Sequence, residues 1–174
     1  MSNHQNAPFV AVLMGSDSDL PVVESTLETL SDLGITWEVR VLSAHRTPDA
    51  THAFVKDAEA RGCGVFVAAA GLAAHLGGVI ASLTVRPVIG IPMEGGPLKG
   101  MDALLSTVQM PGGIPVACVA IGKAGAKNAG YLAAQILALS DPELTARLRA
   151  DREANAAKII KKNEHLQEKI LKKD

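Results

Sequence analysis

Short, continuous apolar runs alternate along this chain with segments in which apolar residues recur at helical spacing. Phe9 to Met14, Trp37 to Leu42 and Val65 to Ala70 read as strands, and the intervening Pro21 to Leu33 and Asp49 to Arg61 read as helices. In the first helix Val23, Leu27 and Leu30 recur at i, i+4 and i+7, which predicts one buried stripe, and Gly34 stands where a C-terminal cap belongs. Val65, Phe66, Val67 and Ala68 are apolar on both faces, as a central strand of a parallel sheet must be. Further strands are expected at Val88 to Ile91 and Val116 to Ile121, which makes five. The helix after the last presents Ala129, Leu132, Ala133, Ile136 and Leu137 on one face. This βαβ alternation predicts an α/β domain whose parallel sheet is covered on both sides.

Ser140, Asp141, Pro142 and Glu143 spell a helix start, with a capping box and Pro in the first turn. From Glu143 to about Leu171 a helix would run roughly 40 Å at 1.5 Å per residue. Its apolar positions Leu144, Leu148, Ile159, Ile160, Leu166 and Ile170 are too sparse for burial all round. The distal half therefore reads as a solvated tail or as an arm against a neighbouring subunit. The expected plan is one domain over residues 1–174, with a flexible N-terminus at 1–8, an α/β core at 9–139 and a C-terminal helix at 140–172.

Composition narrows the class. The chain has 174 residues, 48% hydrophobic and 20% charged, as expected of one soluble domain with a core of its own. Aromatic residues make up only 3%, so the core must be aliphatic. A formal net charge of -1 offers no basic face and argues against nucleic acid as a partner. No segment has the length of a membrane span and Met1 to Pro8 lacks an apolar leader, so the expected compartment is cytoplasmic. Cys63 and Cys118 lack metal-ligand spacing, which suggests packing roles in a reducing compartment.

The chemistry-bearing residues fall where predicted strands end. Leu42 to Pro48 puts His45, an imidazole that can carry a proton near neutrality, beside the permanent cation Arg46. A His and an Arg in a loop are also common surface residues. Their place on a strand-to-helix turn favours a site, because ligands of open α/β sheets bind outside the carboxyl ends of the strands. Gly15 to Asp19, with Ser16 and Asp19, could bind a phosphorylated ribose through backbone N–H groups, a hydroxyl and a carboxylate. Plain helix capping by Ser16 or Asp17 is the alternative. Ala70 to Gly78, with His75 in its middle, lets a ligand approach backbone closely, and it equally allows tight packing. Together these suggest a crevice of three loops. There is no G-x-G-x-x-G, Walker motif, G-x-S-x-G elbow or H-x-x-x-H pair, so nicotinamide, flavin, nucleotide triphosphate, Ser-nucleophile and metal chemistry lose their support. Gly95 to Gly100 and Met110 to Pro115 read as connections on either side of Met101 to Gln109.

Ser-Ala-His-Arg-Thr-Pro at 43–48 and Gly-Leu-Ala-Ala-His-Leu at 71–76 resemble the N5-carboxyaminoimidazole ribonucleotide mutase family of bacterial purine biosynthesis. Ser106 to Pro111 and Gly122 to Ala126 add to the resemblance, which covers residues 9 to 150. It implies a flavodoxin-like three-layer sandwich, usually octameric, with active sites near subunit contacts. It also implies movement of a carboxylate from an exocyclic nitrogen to C4 of an aminoimidazole ribonucleotide in IMP biosynthesis, without metal or cofactor. By that resemblance His45 is the catalytic acid–base group. Ser16 and Arg46 are phosphate ligands, Asp19 is the ribose acceptor, and Ser43, Gly71 and His75 contact the substrate. One departure is Gly77, where many relatives carry Pro, which bears on the rigidity of that loop. The rival branch, an aminoimidazole ribonucleotide carboxylase using free CO2, typically has Lys at the place of Arg46 and Ser-Asn at Ala74 and His75. A receiver-like phospho-acceptor would match Asp17, Asp19 and Lys123, but lacks an Asp where Ala70 and Gly71 stand. A non-catalytic ribonucleotide-binding module is the remaining alternative.

Overall fold

The computed structural model describes residues 8–171. The expected flexible N-terminus at 1–8, apart from Pro8, lies outside the described residues, as does the end of the expected helix at 172. Five parallel strands, β1 (Phe9–Met14), β2 (Trp37–Val41), β3 (Cys63–Ala70), β4 (Val88–Pro92) and β5 (Ala117–Cys118), form one sheet in the order β2-β1-β3-β4-β5. The helices are α1 (Leu20–Asp32), α2 (Pro48–Ala60), α3 (Leu76–Leu83), α4 (Met101–Val108), α5 (Gly122–Ala138) and α6 (Pro142–Leu171). This is the expected flavodoxin-like three-layer sandwich, with β3 at its centre.

Alternate residues of each inner strand feed two cores. Val10, Val12, Val65, Val67, Ile89 and Ile91 face α1 and α5, where Val23, Leu27 and Leu30 supply the stripe read from the sequence. Ala11, Leu13, Phe66 and Ala68 face α2 and α3, where Val55 and Ile80 are fully buried. Gly34 ends α1 as expected: with φ +69 it lets Gly34 N–H donate to Ser31 O and Ile35 N–H donate to Leu30 O, the Schellman arrangement.

Three expectations need correction. The fifth strand is two residues, Ala117–Cys118, rather than Val116 to Ile121. It is an edge strand with one neighbour, paired at Ile89–Ala117 and Gly90–Cys118, and Val119 N–H adds one more bond to Gly90 O before the chain turns into α5. The start of α6 is capped by Asp141, whose carboxylate accepts from Leu144 N–H at 2.9 Å, while Ser140 donates its hydroxyl back to Leu137 O. The N-cap is therefore one residue later than expected, and with Leu144 at N3 the reciprocal capping box does not form. Gly77 lies inside α3 and not in a loop, so its backbone is held by the helix, and an added Cβ would meet only Val116 and Ala68 at ordinary distances.

The proximal part of α6 is docked. Leu144 is buried, Arg147 Nε donates to Leu33 O at 2.9 Å, and Tyr131 Oη donates to Asp151 at 2.7 Å. Beyond Asp151 every described residue of α6 is exposed, including Ile159, Ile160, Leu166 and Ile170. No helix among the described residues is long and apolar enough to cross a membrane.

Helices α1 and α5 pack closely against each other. Thr26 donates its buried hydroxyl to Ala126 O at 2.7 Å, and a Cβ at Gly130 would stand 2.8 Å from Thr29 Cβ and 3.1 Å from Thr26 O. A branched side chain there must push the helices apart. Gly130→Val is expected to lower stability by about 1–3 kcal/mol, read as a shift in the urea midpoint at unchanged slope.

Candidate active site

Parallel strands end on one edge, and there the turns enclose a cavity of about 690 Å3. The turn after β1 supplies Ser16 and Asp19, the turn after β2 supplies Ser43, His45 and Arg46, and the turn after β3 supplies Gly71 and His75. Every site residue expected from the sequence therefore lines one space. A fourth wall was missed: Met93, Glu94, Gly95 and Gly96 follow β4. The sequence signal was available, since Val88 to Ile91 was a recognised strand and its end had to share the same edge. The glycines instead read as a plain connection. Gly96 is favoured by its backbone, since φ +60 is a left-handed conformation that residues with a Cβ rarely adopt. Ser106 to Pro111 and Gly122 to Ala126, which carry part of the family resemblance, do not line this cavity.

Each wall is held by local bonds. Ser16 caps the short 3-10 turn Asp17–Asp19: its Oγ accepts from Ser18 N–H at 3.3 Å and from the Ser18 hydroxyl at 2.8 Å. Capping and cavity lining are thus combined in one side chain. Arg46 Nη2 donates to Gly15 O at 2.8 Å, which ties the second turn to the first and leaves its other N–H groups unengaged among the described residues. After β3 the chain turns sharply at Leu72, which takes φ +55, a left-handed conformation uncommon for a residue with a Cβ. His75 then opens α3, accepting from Val79 N–H through its carbonyl at 2.9 Å.

The two imidazoles meet in this cavity. His45 Nε2 lies 2.8 Å from His75 Nδ1, with the rings edge to face at 84° and their centroids 5.0 Å apart. Such a contact requires one donor and one acceptor, so it places a single proton between the two nitrogens. Beside them are small apolar groups: Ala70, Gly71 and Ala73 line the cavity, and Ala74 is 2% exposed. A pair of imidazoles, a guanidinium and a wall of small side chains are brought within one space.

Among the described carboxylates of this cavity, Asp19 is held above its ordinary 3.8, chiefly because burial penalises its charge, with Asp17 adding repulsion and the Ser16 backbone bond opposing both. Cys63 is buried, and its thiol is pushed up to about 11 by the same desolvation, which suits packing. A phospho-acceptor reading fails on geometry. Lys123 is outside the cavity lining, and β3 ends in Ala70 followed by Gly71.

A 2-1-3-4-5 parallel sheet with its polar residues gathered at the strand ends defines a flavodoxin-like, small-ligand-binding protein. Within that class the chain belongs to the AIR carboxylase family, which matches residues 9–158. It is 48% identical to the N5-carboxyaminoimidazole ribonucleotide mutase of Thermotoga maritima over 161 residues, 92% of this chain and 93% of that protein. The Escherichia coli protein of the same name is 48% identical over 160 residues, covering 92% and 95%, and the Bacillus subtilis one 46% over 159, covering 91% and 98%. The crystal structure of Treponema denticola PurE superposes with a TM-score of 0.83 at 32% identity, covering 91% of this chain and 98% of that one.

Asp19 generates a pH-dependent prediction. Its raised carboxyl means that the folded chain binds this proton more tightly than the unfolded chain, so its contribution to stability falls as pH rises from the ordinary 3.8 through the raised value. Asp19→Asn should therefore melt at or above the parent temperature at neutral pH, with the gap closing towards pH 4. A lower melting temperature at neutral pH would mean that the charged form is stabilised in the fold.

Proposed function

We propose that this chain is an N5-carboxyaminoimidazole ribonucleotide mutase. It moves the carboxylate from the exocyclic nitrogen to ring carbon C4, giving 4-carboxy-5-aminoimidazole ribonucleotide for IMP biosynthesis. The observation that carries the reading is His45 in contact with His75 inside a cavity that also holds Ser16, Asp19 and Arg46. The mutase names of relatives at 46–48% identity support it. So do Arg46 and the Ala74-His75 pair, which separate this chain from the carboxylase pattern.

The chemistry needs one proton carrier. Protonated His45 gives a proton to the exocyclic nitrogen, the N–CO2 bond breaks, and CO2 is left beside an electron-rich aminoimidazole. C4 attacks the carbon of CO2 and becomes tetrahedral. Neutral His45 then takes the C4 proton, which restores the aromatic ring and returns the imidazole to its starting form. The proton balance is zero, and neither metal nor organic cofactor is required. Retaining CO2 next to C4 is an effective-concentration problem, for which a pocket of small residues at Ala70 to Ala74, closed over by bound substrate, is suited. In this reading Ser16 and Arg46 hold the phosphate, Asp19 accepts from ribose hydroxyls, and Ser43, Gly71 and His75 fix the ring and carboxylate.

The reading is cytoplasmic and homo-octameric, with the distal half of α6 as an arm against a neighbouring subunit. Ile159, Ile160, Leu166 and Ile170 are between 51% and 63% exposed on this helix, and burial against a second copy would remove them from water. Deleting residues 156–174 is expected to lower the mass seen by light scattering. Unchanged mass would make the segment a solvated tail.

Purified protein should convert N5-carboxyaminoimidazole ribonucleotide without ATP, and faster than it uses aminoimidazole ribonucleotide with bicarbonate. The reverse preference would assign the carboxylase reaction, and binding without turnover of either would leave a ribonucleotide-binding module. His45→Asn should lose about a hundred- to ten-thousand-fold in kcat while still binding ligand. Normal turnover in that variant would remove His45 from the mechanism.

A further inference from the structure

The turn that carries His45 is closed on itself through one hydroxyl. Ser43 N–H donates to Thr47 Oγ1 at 2.9 Å, and that hydroxyl donates to the Ser43 carbonyl at 3.2 Å. Thr47 N–H reaches the same carbonyl at 3.0 Å, and Arg46 N–H donates to Ser43 Oγ at 3.2 Å. From below, the fully buried Thr51 donates its hydroxyl to Thr47 O at 2.9 Å. No backbone hydrogen bond among the described residues reaches Ala44 or His45 directly. The two residues are spanned by the ring of bonds and take their place from it.

Thr47 stands at the N-cap of α2, where a hydroxyl ordinarily accepts from a helix N–H. It makes no such bond. Its oxygen is turned back into the preceding turn, so helix capping does not account for its position. His45 is then fixed from two directions, by His75 at the ring and by the Thr47-closed turn beneath its backbone.

We propose that Thr47 is a positioning residue for His45, its hydroxyl holding residues 43–47 in the shape that presents the imidazole to the cavity and to His75. The proposal rests on the mutase reading for the consequence in rate, and on geometry alone for the consequence in contact. Thr47→Val keeps the branched bulk and removes both hydroxyl bonds, and Thr47→Ala removes them without the bulk. Thr47→Ser keeps the hydroxyl. Because Thr47 is exposed, none of these opens a core cavity.

Val and Ala variants are expected to lose about ten- to a hundred-fold in kcat with KM within about threefold of the parent, and Ser to recover most of the loss. In protein labelled with 15N-histidine, the nitrogen–nitrogen coupling across the His45–His75 hydrogen bond should be present in the parent and in Ser, and lost in Val and Ala. The proposal is overturned if Val and Ala keep the coupling, if they keep kcat within about twofold, or if Ser fails as badly as they do. A parent that turns over neither substrate overturns the mutase reading instead, and the coupling then still decides the role of Thr47.

Discussion

Strands β1, β3 and β4 run parallel with both faces covered, so almost no side chain along them meets water or ligand. A polar group placed there would need a buried partner, and the strands carry none. All chemistry is driven to the strand ends, and parallel pairing puts every carboxyl end on the same edge. The cavity is a consequence of that constraint. The turns after β1, β2, β3 and β4 have no other place to meet, and their polar residues are free of core duties.

The aliphatic composition of the core serves the same arrangement. With few aromatic side chains to fill space, helices must approach the sheet and one another closely, and small residues stand at each close approach. Gly90 faces Thr107, Gly125 faces the Ala120 carbonyl, and Gly130 faces Thr29. Close packing of this kind resists displacement. It gives the strand ends fixed positions, which a two-imidazole contact at 2.8 Å needs more than a surface loop would.

The fold was largely legible because its signals are local. A doubly apolar run marks a central strand, as at Val65 to Ala68, and a glycine after an amphipathic stripe marks a helix end, as at Gly34. The failures lie at the ends of elements, where neighbouring groups compete for the same bonds. β5 keeps only Ala117 and Cys118 in the ladder, and at the start of α6 Asp141 caps Leu144 N–H while the Ser140 hydroxyl turns back to Leu137 O. The site residues on the first three turns were visible because His, Arg and Asp are conspicuous in an apolar chain. Met93 to Gly96 were not, because in the sequence the glycines after β4 read as a plain connection. That the Thr47 hydroxyl closes its own turn was equally invisible, since the Thr-Pro pair reads as an ordinary helix start.

The His45–His75 contact sharpens what the proposed reaction asks of the site. It occupies Nε2 of one ring and Nδ1 of the other, so one proton is shared between two bases of the same kind. Transfer between like bases has little intrinsic driving force in either direction, and small changes in surroundings decide which ring holds the proton. In the proposed reaction a protonated imidazole first gives its proton to the exocyclic nitrogen. Loss of CO2 from the nitrogen and attack at C4 then call for a base where an acid had stood. One imidazole can serve both steps because the second proton transfer reverses the first. Arg46 cannot share that task, since its guanidinium stays charged throughout. His45 and Arg46 are adjacent in the chain, yet the proposed reaction divides them into a group that changes its proton and a group that keeps its charge.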